Sequence, residues 1–217
     1  MTLNDFIFGD DLRARVAARL EAFPLVRLNR DGLRHAAVAV VIVGGGTGDG
    51  TGDEGCVLLT RRPVHLNRHS GQFALPGGRL DDGETAIEGA LRELHEEMGL
   101  KLTEDAVLGR LDDYPTRSGW RISPIVMWGG ADPALNPDPN EVARVFHIPL
   151  QELDSPALPE TTETDAGEHP ILSAPLPTTG GSVYAPTAAV LYQFREVALR
   201  GEATRVSHFD QPQFAWK

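Results

Sequence analysis

Residues 35–43 (HAAVAVVIV) form a run of small and β-branched side chains with no carboxylate, lysine or arginine. Such a run is of strand length and reads as a buried strand, as does 56–60 (CVLLT). Between them, 44–55 (GGGTGDGTGDEG) offers no side chain able to pack, which predicts a flexible hairpin loop. Its glycines invite a phosphate-cradle reading, but the Gly-Lys-Ser/Thr ending is missing and no helix follows, so it stays a loop. Further strands are expected at 107–111, 122–128 and 142–146. Helical spacing of Leu12, Val16, Leu20 and Phe23 predicts a helix over 10–23, capped by Asp10 or Asp11. Another is expected over 186–199, where Ala189, Val190, Tyr192, Phe194 and Val197 supply apolar positions. The most helical stretch of all is 84–100, and it is acidic. Strands interleaved with few helices predict a single α/β domain with appended ends.

Charge narrows the function. Lys and Arg number 20 against 31 for Asp and Glu, a formal net charge of −11. Broad electrostatic binding of nucleic acid needs a positive footprint and is excluded. A phosphate-bearing substrate must then meet a local exception to the global field, such as a bound metal cation. The single cysteine, Cys56, rules out an intramolecular disulfide and a cysteine-built zinc site, and points to a reducing compartment. With no secretory segment and no apolar stretch long enough to span a bilayer, the expectation is a cytoplasmic protein without membrane contact, monomer or homodimer.

The chemistry concentrates in 78–100 (GRLDDGETAIEGALRELHEEMGL). At about 100° per residue, Glu93 and Glu97 occupy successive turns of one helix face with Glu96 beside them. Like charges at that spacing repel and raise one another's pKa, so a positive partner is expected. Oxygen donors of this kind select Mg²⁺, Mn²⁺ or Ca²⁺, and Mg²⁺ is usually shared between carboxylates and substrate phosphates. Pro76-Gly77-Gly78 allows close approach of the backbone to a ligand, and Gly99 stands where a helix C-cap belongs. Arg92, at i±4 from Glu88 and Glu96, can hold the acidic array with a forked ion pair.

This segment resembles the signature of the Nudix hydrolases, Gly-x5-Glu-x7-Arg-Glu-U-x-Glu-Glu-x-Gly-U with U bulky and aliphatic. It is matched without a gap by Gly78, Glu84, Arg92, Glu93, Leu94, Glu96, Glu97, Gly99 and Leu100. The resemblance implies an α/β/α sandwich with a mixed central sheet and a loop-helix-loop motif. It implies too a requirement for Mg²⁺ or Mn²⁺ and hydrolysis of a nucleoside diphosphate linked to a further group X. Upstream, 58–78 is similar to the extension carried by the coenzyme A pyrophosphatase branch: Leu58, Leu59, Thr60, Arg62, Gly71 and Pro76-Gly77-Gly78 agree. Pro63, Asn67 and Leu75 depart from that extension, and Arg68 stands one position after the missing arginine. Ser118–Ile125 and 140–149 are similar to the same branch, so the resemblance spans about 35–155. The expected organisation is a lead-in with a helix over 1–34, a Nudix-type domain over 35–155, an irregular Pro/Thr/Gly-rich segment over 156–182, and a C-terminal helix and tail over 183–217 packing on the same domain.

By that resemblance, Glu93 and Glu97 hold the first cation, Glu96 ligates directly or through water, and the Gly77 or Gly78 carbonyl completes the shell. Arg61, Arg62 and Arg68 form a local positive patch for substrate phosphate, while Glu84, Arg92 and Gly99 keep the motif in shape. The general base is Glu93 or Glu141. The substrate is coenzyme A or a derivative, another nucleotide such as NADH, ADP-ribose or a nucleotide sugar, or, in a non-catalytic module, a ligand that is only bound. His95 lies about 200° from Glu93 on the helix and faces away from the carboxylates. Cys56, in an apolar strand, reads as a buried structural thiol.

Overall fold

The computed structural model describes residues 3–28, 32–45, 54–64, 71–163 and 169–212. The two apolar runs become β1 (Arg34–Gly44) and β2 (Gly55–Arg61), paired antiparallel with Val43 opposite Cys56. The hairpin is therefore present, and its tip at 46–53 lies outside the described residues. On its other side β1 runs parallel to β7 (Trp120–Gly130) along almost its full length, which makes the sheet mixed. Five short strands complete it: β3 (Phe73–Ala74), β4 (Gly77–Arg79), β5 (Val107–Arg110), β6 (Tyr114–Pro115) and β8 (Arg144–Pro149). The order is β3-β2-β1-β7-β5, with β4 on β1, β6 on β7 and β8 on β2.

Burial on both faces explains why β1 shows no polar alternation. Ala37, Ala39, Val41 and Val43 lie under α2 (Ala86–Met98), against Ala90, Leu94 and Met98. Val40 and Ile42 face the other layer, which is built from α1 (Asp10–Ala22), the short α3 (Leu150–Leu153) and the C-terminal third of the chain. Alanine rather than a larger residue at 37 and 39 lets α2 approach the strand closely. Layers of helix, sheet and helix follow, as expected.

Four local expectations are corrected. In α1 neither Asp10 nor Asp11 caps: Gly9 takes that position without a side-chain bond, and both aspartates sit in the first turn, where they complement the helix dipole. The 142–146 strand starts later, at Arg144, because Val142 N–H is drawn to the Asp138 carbonyl in a turn. The acidic helix starts at Ala86 rather than at 84, behind a cap described below. Most of all, the described residues of 156–182 are not irregular. The segment contains β9 (Glu160–Thr162), β10 (Ile171–Leu176) and β11 (Gly181–Tyr184), a three-stranded antiparallel sheet in the order β11-β10-β9. Proline and threonine mask the pattern, but Leu172, Ala174 and Leu176 alternate into the core beside Val183.

The expected C-terminal helix is α4 (Thr187–Phe194), continued by a π-helical segment over Arg195–Arg200. Its Ala188, Val190, Leu191, Phe194 and Val197 share one core with Leu12, Val16 and Leu20 of α1. Buried Asp112 stitches the ends together: it accepts from Arg205 (2.7 Å to each oxygen), Gln193 Nε2 (2.8 Å) and Val26 N–H (2.7 Å). Among the described residues, no helix is long and apolar enough to cross a membrane.

Candidate active site

α2 owes its position to its two ends. Thr85 is the N-cap, its hydroxyl accepting from Glu88 N–H (3.2 Å) while the Glu88 carboxylate accepts from Thr85 N–H (2.8 Å), a complete capping box. The Thr-x-x-Glu spacing was the signal for it; the sequence reading expects Glu88 only as an i±4 partner of Arg92, whereas its carboxylate is committed to the cap. Gly99 closes the helix in the left-handed conformation, φ +67°, as its sequence position implied.

Arg92 lies at the centre of the acidic array. Its Nε and Nη2 fork onto the two Glu84 oxygens (2.9 and 3.0 Å), and Nη2 also donates to the Arg79 carbonyl (3.0 Å). Nη1 reaches both Glu93 Oε1 and Glu96 Oε2 at 2.9 Å. Glu84 accepts in addition from Asp81 N–H (2.9 Å), and the Arg92 bond holds its carboxyl below the usual range. One guanidinium thus fixes the loop before the helix and two carboxylates on it.

Glu97 takes a different partner. Its carboxylate is only 4% exposed, accepts from Gly77 N–H (3.3 Å) and has Arg62 Nη1 at 3.8 Å. Burial, then the field of Glu141, pushes its carboxyl up to about 8; Gly77 N–H and Arg62 oppose that, and Glu93 adds to it. Glu93 is also raised, by burial first, then by Glu96 and Glu141 against the pull of Arg92. Glu141 is brought there by a turn. Asp138 N–H donates to the Glu97 carbonyl (3.0 Å), and the Asp138 carboxylate holds Asn140 N–H (2.9 Å). Asp138 escaped the sequence reading because nothing local marks it as a partner of α2.

Gly78 makes room for this arrangement. A Cβ there would fall 2.4 Å from Glu93 Oε1, so no other residue leaves that carboxylate in place.

The expected ligand trio is not gathered. Among the described residues, no group of three or more His, Cys, Asp or Glu side chains is close enough to hold a metal ion as it stands. Arg92 draws Glu93 and Glu96 to one side, while Gly77 N–H and Arg62 draw Glu97 to the other. Glu96 is largely exposed, so it joins the array only at its rim. The donor chemistry nevertheless fits a divalent cation: Glu93, Glu97 and Glu141 feel one another, all are oxygen donors, and buried Glu97 is short of positive charge.

Of the three arginines, Arg62 alone is seen at the carboxylates, and its Nε is buried without a hydrogen-bond partner. Arg61 does not join them. By strand alternation it shares the face of Val57 and Leu59, opposite α2, where it donates to the Gly71 carbonyl (3.2 Å) and lies over the Phe73 ring. Arg68, with His65, Asn67 and His69, lies outside the described residues. His95 is exposed, and the Cys56 thiol is buried and pushed up to about 12 by desolvation, then by Glu54 and Glu152. Neither takes part in the site.

Residues 33–169 match the NUDIX domain. The chain belongs to the Nudix family. This Nudix chain is 36% identical over 157 residues to the Nudix hydrolase NudL of Escherichia fergusonii, itself named uncharacterized, over 70% of this chain and 71% of that one. A NudL of Yersinia enterocolitica is 40% identical over 119 residues, 54% of this chain and 57% of that one. Among solved structures, a MutT/nudix family protein from Enterococcus faecalis is similar with a TM-score of 0.49 at 19% identity, covering 78% of this chain and 64% of that chain. The α2 array, the Gly77-Gly78 strand and Arg62 all fall inside the matched domain. Most of the three-stranded sheet, α4 and the π-helical segment follow it.

Proposed function

We propose that this Nudix hydrolase cleaves the diphosphate bridge of a nucleoside diphosphate carrying a further group, with Mg²⁺ or Mn²⁺ as cofactor and coenzyme A or a derivative as substrate. The observation that carries the reading is Glu97, buried on Gly77 N–H with Arg62 before it and Glu93 and Glu141 within its field. A carboxylate held in that environment is costly unless cationic chemistry uses it.

Glu93 and Glu97, with Glu96 at the rim directly or through water, would hold the cation together with a Gly77 or Gly78 carbonyl. A divalent ion bound there neutralises phosphate charge and lowers the pKa of a water. The protein does the remainder. Arg62 stabilises charge gathering on the departing phosphate. Arg92 keeps Glu93 aimed inward and cannot itself accept a proton. Of the two candidate bases, Glu93 already accepts from Arg92 at 2.9 Å, whereas Glu141 is exposed on its turn and free to receive the proton of the attacking water.

Leu58, Leu59, Thr60, Arg62, Gly71 and Pro76-Gly77-Gly78 favour coenzyme A over other nucleotides, since the arginine of that pattern is the one beside Glu97. The test is a screen of the purified chain with coenzyme A, NADH, ADP-ribose and nucleoside triphosphates, each with Mg²⁺ and with Mn²⁺, with products separated chromatographically. Phosphopantetheine and adenosine 3′,5′-bisphosphate are the expected products. Faster turnover of ADP-ribose or NADH moves the substrate to that class, and turnover in excess chelator overturns the cation requirement.

A further inference from the structure

A groove of about 210 Å³ opens at the end of the central sheet where β2 stops. One wall is Gly71, Gln72 and Phe73, leading into β3; the other is 182–187, from β11 to the start of α4. The first wall lies within the NUDIX match and the second beyond it, so the groove exists only because the C-terminal sheet packs against the family domain. Both walls are fixed. Phe73 packs edge-on against Phe146, with 5.6 Å between centroids, and β11 is in register with β10. Val64 and Tyr184, two of the four large apolar side chains that stand exposed among the described residues, flank it. Arg61 stands at the lip, bonded to the Gly71 carbonyl and 5.7 Å from the Phe73 ring centre.

We infer that this groove is the subsite for the X arm of the substrate, a slender chain of apolar carbons and amides, with Arg61 beside it to meet an acceptor oxygen of the arm. The inference rests on the diphosphate reading above. The volume is below that of a whole-ligand pocket, so the groove takes part of a molecule whose remainder lies elsewhere. The groove is tied to the carboxylates through Arg62, whose backbone N–H donates to the Gln72 carbonyl of the first wall (2.9 Å) and whose Nη1 lies 3.8 Å from Glu97, so one arginine bridges the two around the edge of the sheet. A long flexible arm can follow that edge from a diphosphate at Glu97 into the groove, which a rigid ring cannot. Mostly apolar walls with an aromatic side on each flank suit such an arm, and the few polar groups along them, Gln72, Ser182 and Thr187, suit its amides.

The test uses the full chain, wild type and two variants, Ser182→Trp to fill the groove and Tyr184→Ala to remove one flank. For each, kcat/KM is measured with coenzyme A and with ADP-ribose. The ratio of the two should fall about tenfold in Ser182→Trp and roughly threefold in Tyr184→Ala, through KM rather than kcat. Equal losses on both substrates, or none, overturn the inference. A second readout needs no turnover: titration with pantetheine should shift the backbone amide resonances of residues 71–73, 182–185 and 187, and an absence of shifts there also overturns it. If those shifts appear while the wild type hydrolyses neither nucleotide, the subsite stands and the proposed reaction falls. Self-association of the wild type that Ser182→Trp abolishes would mark the groove as a contact between copies, and the inference would fail.

Discussion

Glu97→Gln, studied in excess chelator, separates what the buried carboxylate costs from what it is for. With its carboxyl at about 8 in the folded chain and near 4.5 when unfolded, Glu97 keeps its proton on folding where the unfolded chain has lost it. The sign follows: its favourable contribution is complete below about pH 4.5 and is lost as the pH rises through 8. Each pH unit between the two values is worth about 1.4 kcal/mol, which sets a ceiling of about 5 kcal/mol above pH 8.5. Water reaching the exposed Glu141 turn and small shifts of Arg62 bring that down to about 2 kcal/mol. Gln keeps the shape and the acceptor for Gly77 N–H but carries no charge. For a chain of 217 residues, about 2 kcal/mol is about 4–8 °C in Tm. Melting followed by circular dichroism in chelator should therefore show Glu97→Gln about 4–8 °C above wild type at pH 8.5 and level with it at pH 5. The same variant, given Mg²⁺ or Mn²⁺, should lose two or more orders of magnitude in turnover. A variant less stable than wild type at pH 8.5, or equally shifted at both pH values, refutes the reasoning.

Arg92→Lys keeps the charge but cannot fork onto Glu84 while holding Glu93 and Glu96, so it should cost about 2 kcal/mol and lower Tm and kcat together; an unchanged melting curve counts against the tie. Gly78→Ala puts a methyl where the Glu93 carboxylate sits, and kcat should drop at least tenfold with the far-UV spectrum intact. Normal turnover in that variant would show that the Glu93 position is not needed. Asp112→Asn removes the charge that pairs with Arg205 in a buried position and should lower stability by about 3 kcal/mol, read by urea melts, while KM stays within about twofold. An undiminished urea midpoint would mean the C-terminal segment is held by its apolar contacts alone.

The central sheet and the acidic helix α2 were legible because their signals are local. A run of nine residues such as 35–43 has one economical fate, and the spacing of Arg92, Glu93, Glu96 and Glu97 is a property of helix geometry alone. The Arg92 fork onto Glu84 was not legible in that way: an interval of eight puts the two on one side only if Glu84 starts the helix, and Glu84 instead lies in the loop before Ala86 and is brought back to Arg92 by that loop. The C-terminal sheet was not legible. In 171–176 the alternation of Leu172, Ala174 and Leu176 is masked by Pro175 between them, and those side chains acquire meaning only once α4 supplies the surface they bury against.

What the amino-acid order determined by itself is which groups exist at what spacing: the acidic face of α2, the glycine pair before it, the capping Thr85, the apolar strands. What tertiary structure alone decided is how those groups are shared out. Arg61 and Arg62 are neighbours in sequence and face opposite sides of the sheet. Glu141 meets Glu97 only through the turn at Asp138, 41 residues beyond it. Like-charged carboxylates separate toward whichever donor lies nearest, and the nearest donors, Arg92 for one pair and Gly77 N–H with Arg62 for Glu97, are set by the packing of α2 on β1 rather than by the helix itself.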